Sequence, residues 1–395
     1  MRVSHPRTVF LTTEQHAERA SARREEVADK LRLLRAWLEG VEAAGIVLTG
    51  ADSVAWLAAG LTSPIERGAA TGPLRIVVTA ETAAVLTTNV ERARLEAEAS
   101  LDVLGLELHE APWFDERELD RRTLALADSP ASALTSDRPS GFGRDCGEEL
   151  IALRLALSAP ERERLAGLAR DTAAALEQAL HAWQPGESDR ELQARVDAEL
   201  DRCGAFAPCL IVGGDERVLR FRHPLAAGAA MTRLVMAVAV AERDGLHAAA
   251  TRFACAGGLP DGVRSAHLAA RAIETEMLAA CRTGTTYGEV MLACERAYRT
   301  SGHAGAWRDH YQGGPIGYRQ REFEIVPSQR ESRWFETRLE PGHALAWNPS
   351  VSGGGKAEDT YLLEASGLVR LTETGAWPLE GGRPAILDIG TGAAA

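Results

Sequence analysis

A chain of 395 residues is longer than one hydrophobic core normally supports and points to two domains. Its 45% apolar and 25% charged content is that of an ordinary globular protein, and its net charge of -12 argues against a nucleic-acid partner, which calls for a basic surface. No apolar run of about 18 residues is available to cross a membrane, and Met1 to Arg7 lack the apolar core of a signal peptide.

Six scattered cysteines (Cys146, Cys203, Cys209, Cys255, Cys281, Cys294) form no CxxC pair and read as reduced core thiols of a cytoplasmic protein. Of the 44 basic residues only Lys30 and Lys356 are lysine, which sets Lys356 apart within the motif region described below.

The first third of the chain reads as α/β. A charged helical pattern from Glu14 to Ala44 precedes short apolar strands at Gly45–Leu48, Arg75–Val78 and Ala84–Leu86, then a helical pattern from Val90 to Ala99. Ser129 to Asp145, rich in Ser, Pro, Gly and Asp, reads as a linker, so the domains are expected at 1–145 and 146–395.

Ser158-Ala159-Pro160-Glu161 forms a capping box with proline in the first turn, and Leu165, Leu168, Thr172, Leu176 and Leu180 follow on one helical face. Ser188-Asp189-Arg190-Glu191 opens a second helix in the same way, stopping near Gly204. Strands are expected at Leu234–Ala241 and Leu246–Cys255, helices at Val263–Cys281 and Tyr287–Ser301, and strands around Glu322–Val326, Ala344–Trp347 and Thr360–Glu364. Helix, helix, strand, strand, repeated once, predicts a pseudo-twofold α+β domain.

The most informative segments lie near the C-terminus. His310-Tyr311-Gln312-Gly313-Gly314-Pro315-Ile316-Gly317 is followed by Arg321-Glu322, Trp347-Asn348-Pro349 and Lys356-Ala357-Glu358-Asp359-Thr360; upstream lie Arg222-His223-Pro224, Asp244-Gly245 and Thr251-Arg252. In order, these segments resemble the hallmark motifs of the creatinase/prolidase/methionine aminopeptidase superfamily. The resemblance implies an α+β pita-bread domain preceded by a smaller creatinase-type α/β domain. In the metal-dependent members two Asp, one His and two Glu hold two ions. Carried over position by position, these fall on Val238, Ala249, Gly314, Asn348 and Glu358. Only Glu358 is a usable ligand, whereas hard divalent ions need several carboxylate or imidazole donors. The resemblance therefore implies the metal-free branch, to which creatinase belongs, with neither metal nor other cofactor.

Creatinase breaks a C–N bond with a histidine acid/base, and His223 stands in the corresponding place. Without the family it would read as a histidine capping a loop. Glu358, Glu322 and His310 are the other candidate catalytic groups, each with a structural reading as an ion-pair or hydrogen-bond anchor. Arg252, Arg321 and Arg222 could hold a substrate carboxylate or phosphate, although most arginines in so arginine-rich a chain are solvated. Gln312, Trp347 and Asn348 could read the ligand. Lys356, if buried, could be a nucleophile or base; otherwise it is a loop lysine after Gly353-Gly354-Gly355. Gly313-Gly314-Pro315 would let backbone approach closely.

By the same resemblance the protein is a homodimer, with Arg67 as a contributor from the N-terminal domain to the partner's site. The function expected is metal-independent cleavage of a C–N bond in a small polar molecule. The alternatives are a non-hydrolytic lyase, isomerase or cyclisation enzyme, and an inactive binding module. No membrane partner is expected.

Overall fold

The computed structural model describes residues 13–62 and 64–390, with side chains from residue 21 onward; the Met1–Arg7 segment lies outside the described residues. The chain forms two compact units that divide between Leu153 and Arg154.

The first unit opens with α1 (Thr13–Gly40), whose Val27, Leu31, Leu34 and Leu38 recur at helical spacing and are buried. Lys30, on the same helix, donates to Glu26 and to the Trp56 carbonyl, both at 2.6 Å. There follow β1 (Gly45–Gly50), α2 (Ala51–Leu57), β2 (Thr71–Thr79), β3 (Ala83–Thr88), α3 (Arg92–Glu98), α4 (Leu101–Leu104), β4 (Glu107–Ala111), α5 (Glu116–Ala127), β5 (Leu134–Ser136), β6 (Arg144–Asp145) and α6 (Gly147–Arg154). The six strands form one mixed sheet in the order β4-β3-β2-β1-β5-β6. Ile46, Val47 and Leu48 on β1 are all buried, as in a strand covered on both faces.

The stretch 129–145 is not the free linker its composition predicts, because it supplies β5 and β6. The Asp137 carboxylate fastens this stretch to β1, accepting from the Thr49 and Gly50 amides at 2.9 and 2.8 Å. Strands of two and three residues are too short to show a period, so turn-forming composition masked them.

In the second unit α7 (Ala159–His181) and α8 (Asp189–Arg202) both begin with the expected capping boxes. Glu161 accepts from the Ser158 amide at 2.7 Å and Glu191 from the Ser188 amide at 2.8 Å. Next come β7 (Phe206–Gly214), α9 (Asp215–Arg220), β8 (Leu234–Arg243) and β9 (Leu246–Cys255). Sequence reasoning missed β7, since Pro208, Gly213 and Gly214 read as breakers. The second round comprises α10 (Val263–Ala280), α11 (Tyr287–Thr300), β10 (Gly313–Pro315), α12 (Arg333–Glu336), β11 (Ala344–Trp347), β12 (Ser350–Val351), β13 (Gly355–Lys356), β14 (Tyr361–Glu364), β15 (Gly367–Arg370), β16 (Leu379–Glu380), β17 (Arg383–Pro384) and β18 (Leu387–Asp388).

Two four-stranded sheets result, β7-β8-β9-β18 and β10-β11-β14-β15, each preceded by a pair of helices. The expected strand at 322–326 is a loop instead. Phe323 is buried there by aromatic packing rather than by a ladder: it stacks on Trp334 with ring centroids 4.2 Å apart.

Alternation on β9 assigns each side chain to one face. Ala248 and Ala250, beside Ala239 and Ala241 of β8, make a small-residue face against α7. Arg252 projects from that face and is almost fully buried. It donates to Glu177 of α7 at 3.2 Å, to Asp359 at 2.8 Å and to the Thr372 carbonyl at 2.9 Å. Removing a guanidinium while leaving two buried carboxylates should cost about 3–5 kcal/mol. Arg252→Met is therefore expected to lower the denaturation midpoint sharply, and a midpoint near wild type would show that these ion pairs contribute nothing.

Candidate active site

The opposite face of the β7–β9 sheet carries Ile211, Val238, Ala249 and Thr251. The segment after β13 runs alongside β9. Thr251 donates its amide to the Glu358 carbonyl at 3.0 Å and its hydroxyl to the Glu358 carboxylate at 2.9 Å. One residue pair further along, Thr360 accepts from the Ala249 amide and donates to its carbonyl at 2.8 and 2.9 Å.

The hairpin bearing Glu358 keeps a single register: Ala344 pairs with Leu362, Leu345 with Tyr361 and Ser350 with Lys356, while the Ala357 amide donates to the Pro349 carbonyl. Period-two alternation therefore puts Asn348, Ser350, Lys356 and Glu358 on one face. Lys356 is only 3% exposed, yet its ammonium makes no hydrogen bond or ion pair with any described residue. Burial lowers its pKa, Glu358 opposes that, and Arg321 and Arg222 reinforce it. Burial and the Glu358 charge push the nearby Cys209 thiol up.

Two histidines meet beside these groups. His223, exposed in the loop after α9, has its Nε2 3.2 Å from Nε2 of the buried His310. His310 Nδ1 is bonded to the Tyr311 carbonyl, which can only accept, so Nδ1 carries the proton and Nε2 is left as an acceptor. His223 then donates from Nε2, and its Nδ1 lone pair is free of any described partner. Burial first, then the Lys356 charge, drive the His310 pKa down to about 2, so its ring stays neutral. The same two causes lower the His223 pKa, and Glu358 acts against them.

Arg222, next in sequence to His223, donates to Ser350 Oγ at 3.2 Å and to Ser352 Oγ at 3.3 Å. Together with Met236, Lys356 and Gly353 to Gly355, these residues line a small cleft open to solvent.

Of the residues expected from the sequence, His223, His310, Glu358, Lys356, Arg222 and Arg321 act on one another electrostatically. Arg321 also donates to the Ala346 carbonyl at 3.0 Å. Asn348 shares the Glu358 face, and its buried Oδ1 has no hydrogen-bond partner.

The remaining candidates are occupied elsewhere. Arg252 lies on the opposite face in its buried ion pairs. Glu322 holds Arg154 at 2.7 Å and accepts from the Tyr318 amide at 2.7 Å. Gln312 is wholly buried, donating to the Trp307 and His310 carbonyls and accepting from Tyr298. Trp347 is a core residue that donates to the Cys281 sulfur at 3.2 Å. Arg67 is exposed in the segment between α2 and β2. Sequence reasoning missed Ser350 and Ser352; the triple glycine turn that sets Ser350 opposite Lys356 was the available signal.

Val238, Ala249, Gly314, Asn348 and Glu358 do not supply the donors of a two-metal centre. Among the described residues no group of three or more His, Cys, Asp and Glu could hold an ion.

The chain belongs to metallopeptidase family M24, whose model matches residues 163–374, more than half of its length. The fold is the pita-bread fold with an N-terminal α/β domain. It is similar to the Xaa-Pro dipeptidase from Bacillus anthracis, at 18% identity over 92% of this chain and 100% of that one, with a TM-score of 0.71. It is also similar to dipeptidase PepE from Mycobacterium ulcerans, at 19% identity over 93% and 99% of the two chains, TM-score 0.73. The N-terminal domain of FACT complex subunit SPT16 from Cicer arietinum (chickpea) is similar at 14% identity over 90% and 96%, TM-score 0.64. No curated protein matches the chain. Among the described residues no helix is long and apolar enough to cross a membrane.

Gly313 has φ +88, and a Cβ there would collide with the Ala346 carbonyl and stand 2.7 Å from the Trp347 Cα. Gly313→Ala is expected to destabilise the protein by about 2 kcal/mol or more, read from its thermal midpoint. A midpoint at the wild-type value would mean that β10 and β11 are not in this close contact.

Proposed function

We propose that this family member hydrolyses a C–N bond in a small polar molecule by histidine acid/base catalysis rather than through metal-bound water. The observation that carries the reading is the 3.2 Å contact between His223 and His310 in the same cluster as Glu358. Four of the five positions that hold metal in the family's metal-dependent members are here Val, Ala, Gly and Asn.

In this reading His223 Nδ1 takes a proton from the attacking water and passes it to the departing nitrogen as the C–N bond breaks. His310 accepts the His223 Nε2–H, which holds the ring in the tautomer that leaves Nδ1 basic. The Glu358 carboxylate favours the imidazolium that forms. Arg321 places positive charge near the oxygen or nitrogen that becomes negative when water adds. Asn348 Oδ1, a buried acceptor without a partner, would take a substrate N–H.

The test is turnover of N-acyl, ureido, guanidino and Xaa-Pro compounds with chelator present. Chelator-resistant hydrolysis is expected, with kcat/KM roughly 10²–10⁴-fold lower in His223→Ala. Hydrolysis abolished by chelator, or unchanged in the variant, would sink the mechanism. Stabilisation by a panel compound without turnover would instead favour a binding role.

A pH profile gives a second check. Because burial and Lys356 hold the His223 pKa below the usual histidine value, its base form persists into mild acid. Activity should therefore be retained below the ordinary histidine range and fall as pH drops through the lowered pKa. Glu358→Gln removes the charge that raises this pKa, so the acid limb should move to still lower pH. An unmoved limb would dissociate Glu358 from His223.

A further inference from the structure

We infer that the cleft beside His223 is a subsite for a compact anionic group, a carboxylate or phosphate, held by Lys356 and Arg222. Its role in turnover rests on the His223 reading; its capacity to bind does not.

The argument starts from Lys356. A lysine only 3% exposed, whose ammonium has no hydrogen bond or ion pair with a described residue, is costly, because its partial desolvation is not offset by a protein partner. The charged groups that act on it do not resolve the deficit. Arg222 and Arg321 repel it, and Glu358 attracts it without reaching ion-pair distance. Glu324 lies 3.6 Å from Arg321 and is committed there. His223 and His310 are neutral, and the Cys209 thiol is held protonated by burial. Three cations thus stand against two carboxylates, and one negative charge would balance the set.

The cleft lining has the matching chemistry. Arg222 spends an N–H on each serine oxygen, so the Ser350 and Ser352 hydroxyl protons remain available to donate. Lys356, Arg222 and both serines then present donors around a small solvent-open cleft, suited to a compact group, and the triple-glycine turn adds no side chain to fill it. A carboxylate or phosphate satisfies all of these groups at once, whereas an uncharged ligand leaves the lysine as it was and a cation is repelled. Since the Lys356 that lines the cleft also acts on His223, an anion bound here would hold a substrate near the imidazole. The substrate class is therefore a small amide- or amidine-type molecule that carries a carboxylate or phosphate.

The test is calorimetric titration of the full-length protein with inorganic phosphate and with N-acetylglycine, using N-acetylglycinamide as the uncharged control. At least one anion is expected to bind where the uncharged amide does not. Phosphate alone would specify a phosphorylated substrate, and N-acetylglycine alone a carboxylate. Lys356→Met should weaken binding roughly tenfold or more, and Arg222→Gln, at a half-buried position where folding is not at stake, should weaken it in the same direction. His223→Ala should bind as wild type, which separates this subsite from the proposed catalysis. The inference is overturned if neither anion binds, or if the Lys356 and Arg222 variants both bind as wild type.

Discussion

The site depends on one seam, where the segment Lys356 to Thr360 is fastened along β9. Backbone and side chain both take part: Thr251 binds Glu358 twice, Thr360 binds Ala249 twice, and Arg252 binds Asp359 from the other side. Because successive side chains alternate, this clamp directs Asp359 into the ion-paired layer over α7 and Glu358 into the opposite layer with Lys356. A slip of one residue would exchange the two carboxylates and dissolve both arrangements.

That seam also explains the electrostatic character of the cluster. Glu358 is the carboxylate that acts on Lys356, and the positive charge of the cluster comes from Lys356, Arg222 and Arg321. Burial keeps His310 neutral, so it adds no competing charge beside His223.

Much of the framework was legible in the chain. The two capping boxes, the helical leucine spacing and the apolar runs of β8, β9 and β11 reflect local rules that short windows contain. β7 was hidden by Pro208 and by Gly213-Gly214, where close approaches from Pro224 and Met231 leave no room for a side chain. The run 322–326 looked like a strand because its apolar residues alternate. Phe323 is instead packed between Tyr287 and Trp334, neighbours that no local pattern records.

What the sequence determined by itself was the fold, because motif order and residue chemistry carry that information. What tertiary structure decided was which polar residues remain free. Arg252, Glu322 and Gln312 were as plausible as Lys356, yet each is saturated by a partner at least 14 positions away in the chain, whereas Lys356 is buried without one. Whether a buried polar group is satisfied is a property of its neighbours in space, and only the folded chain supplies them.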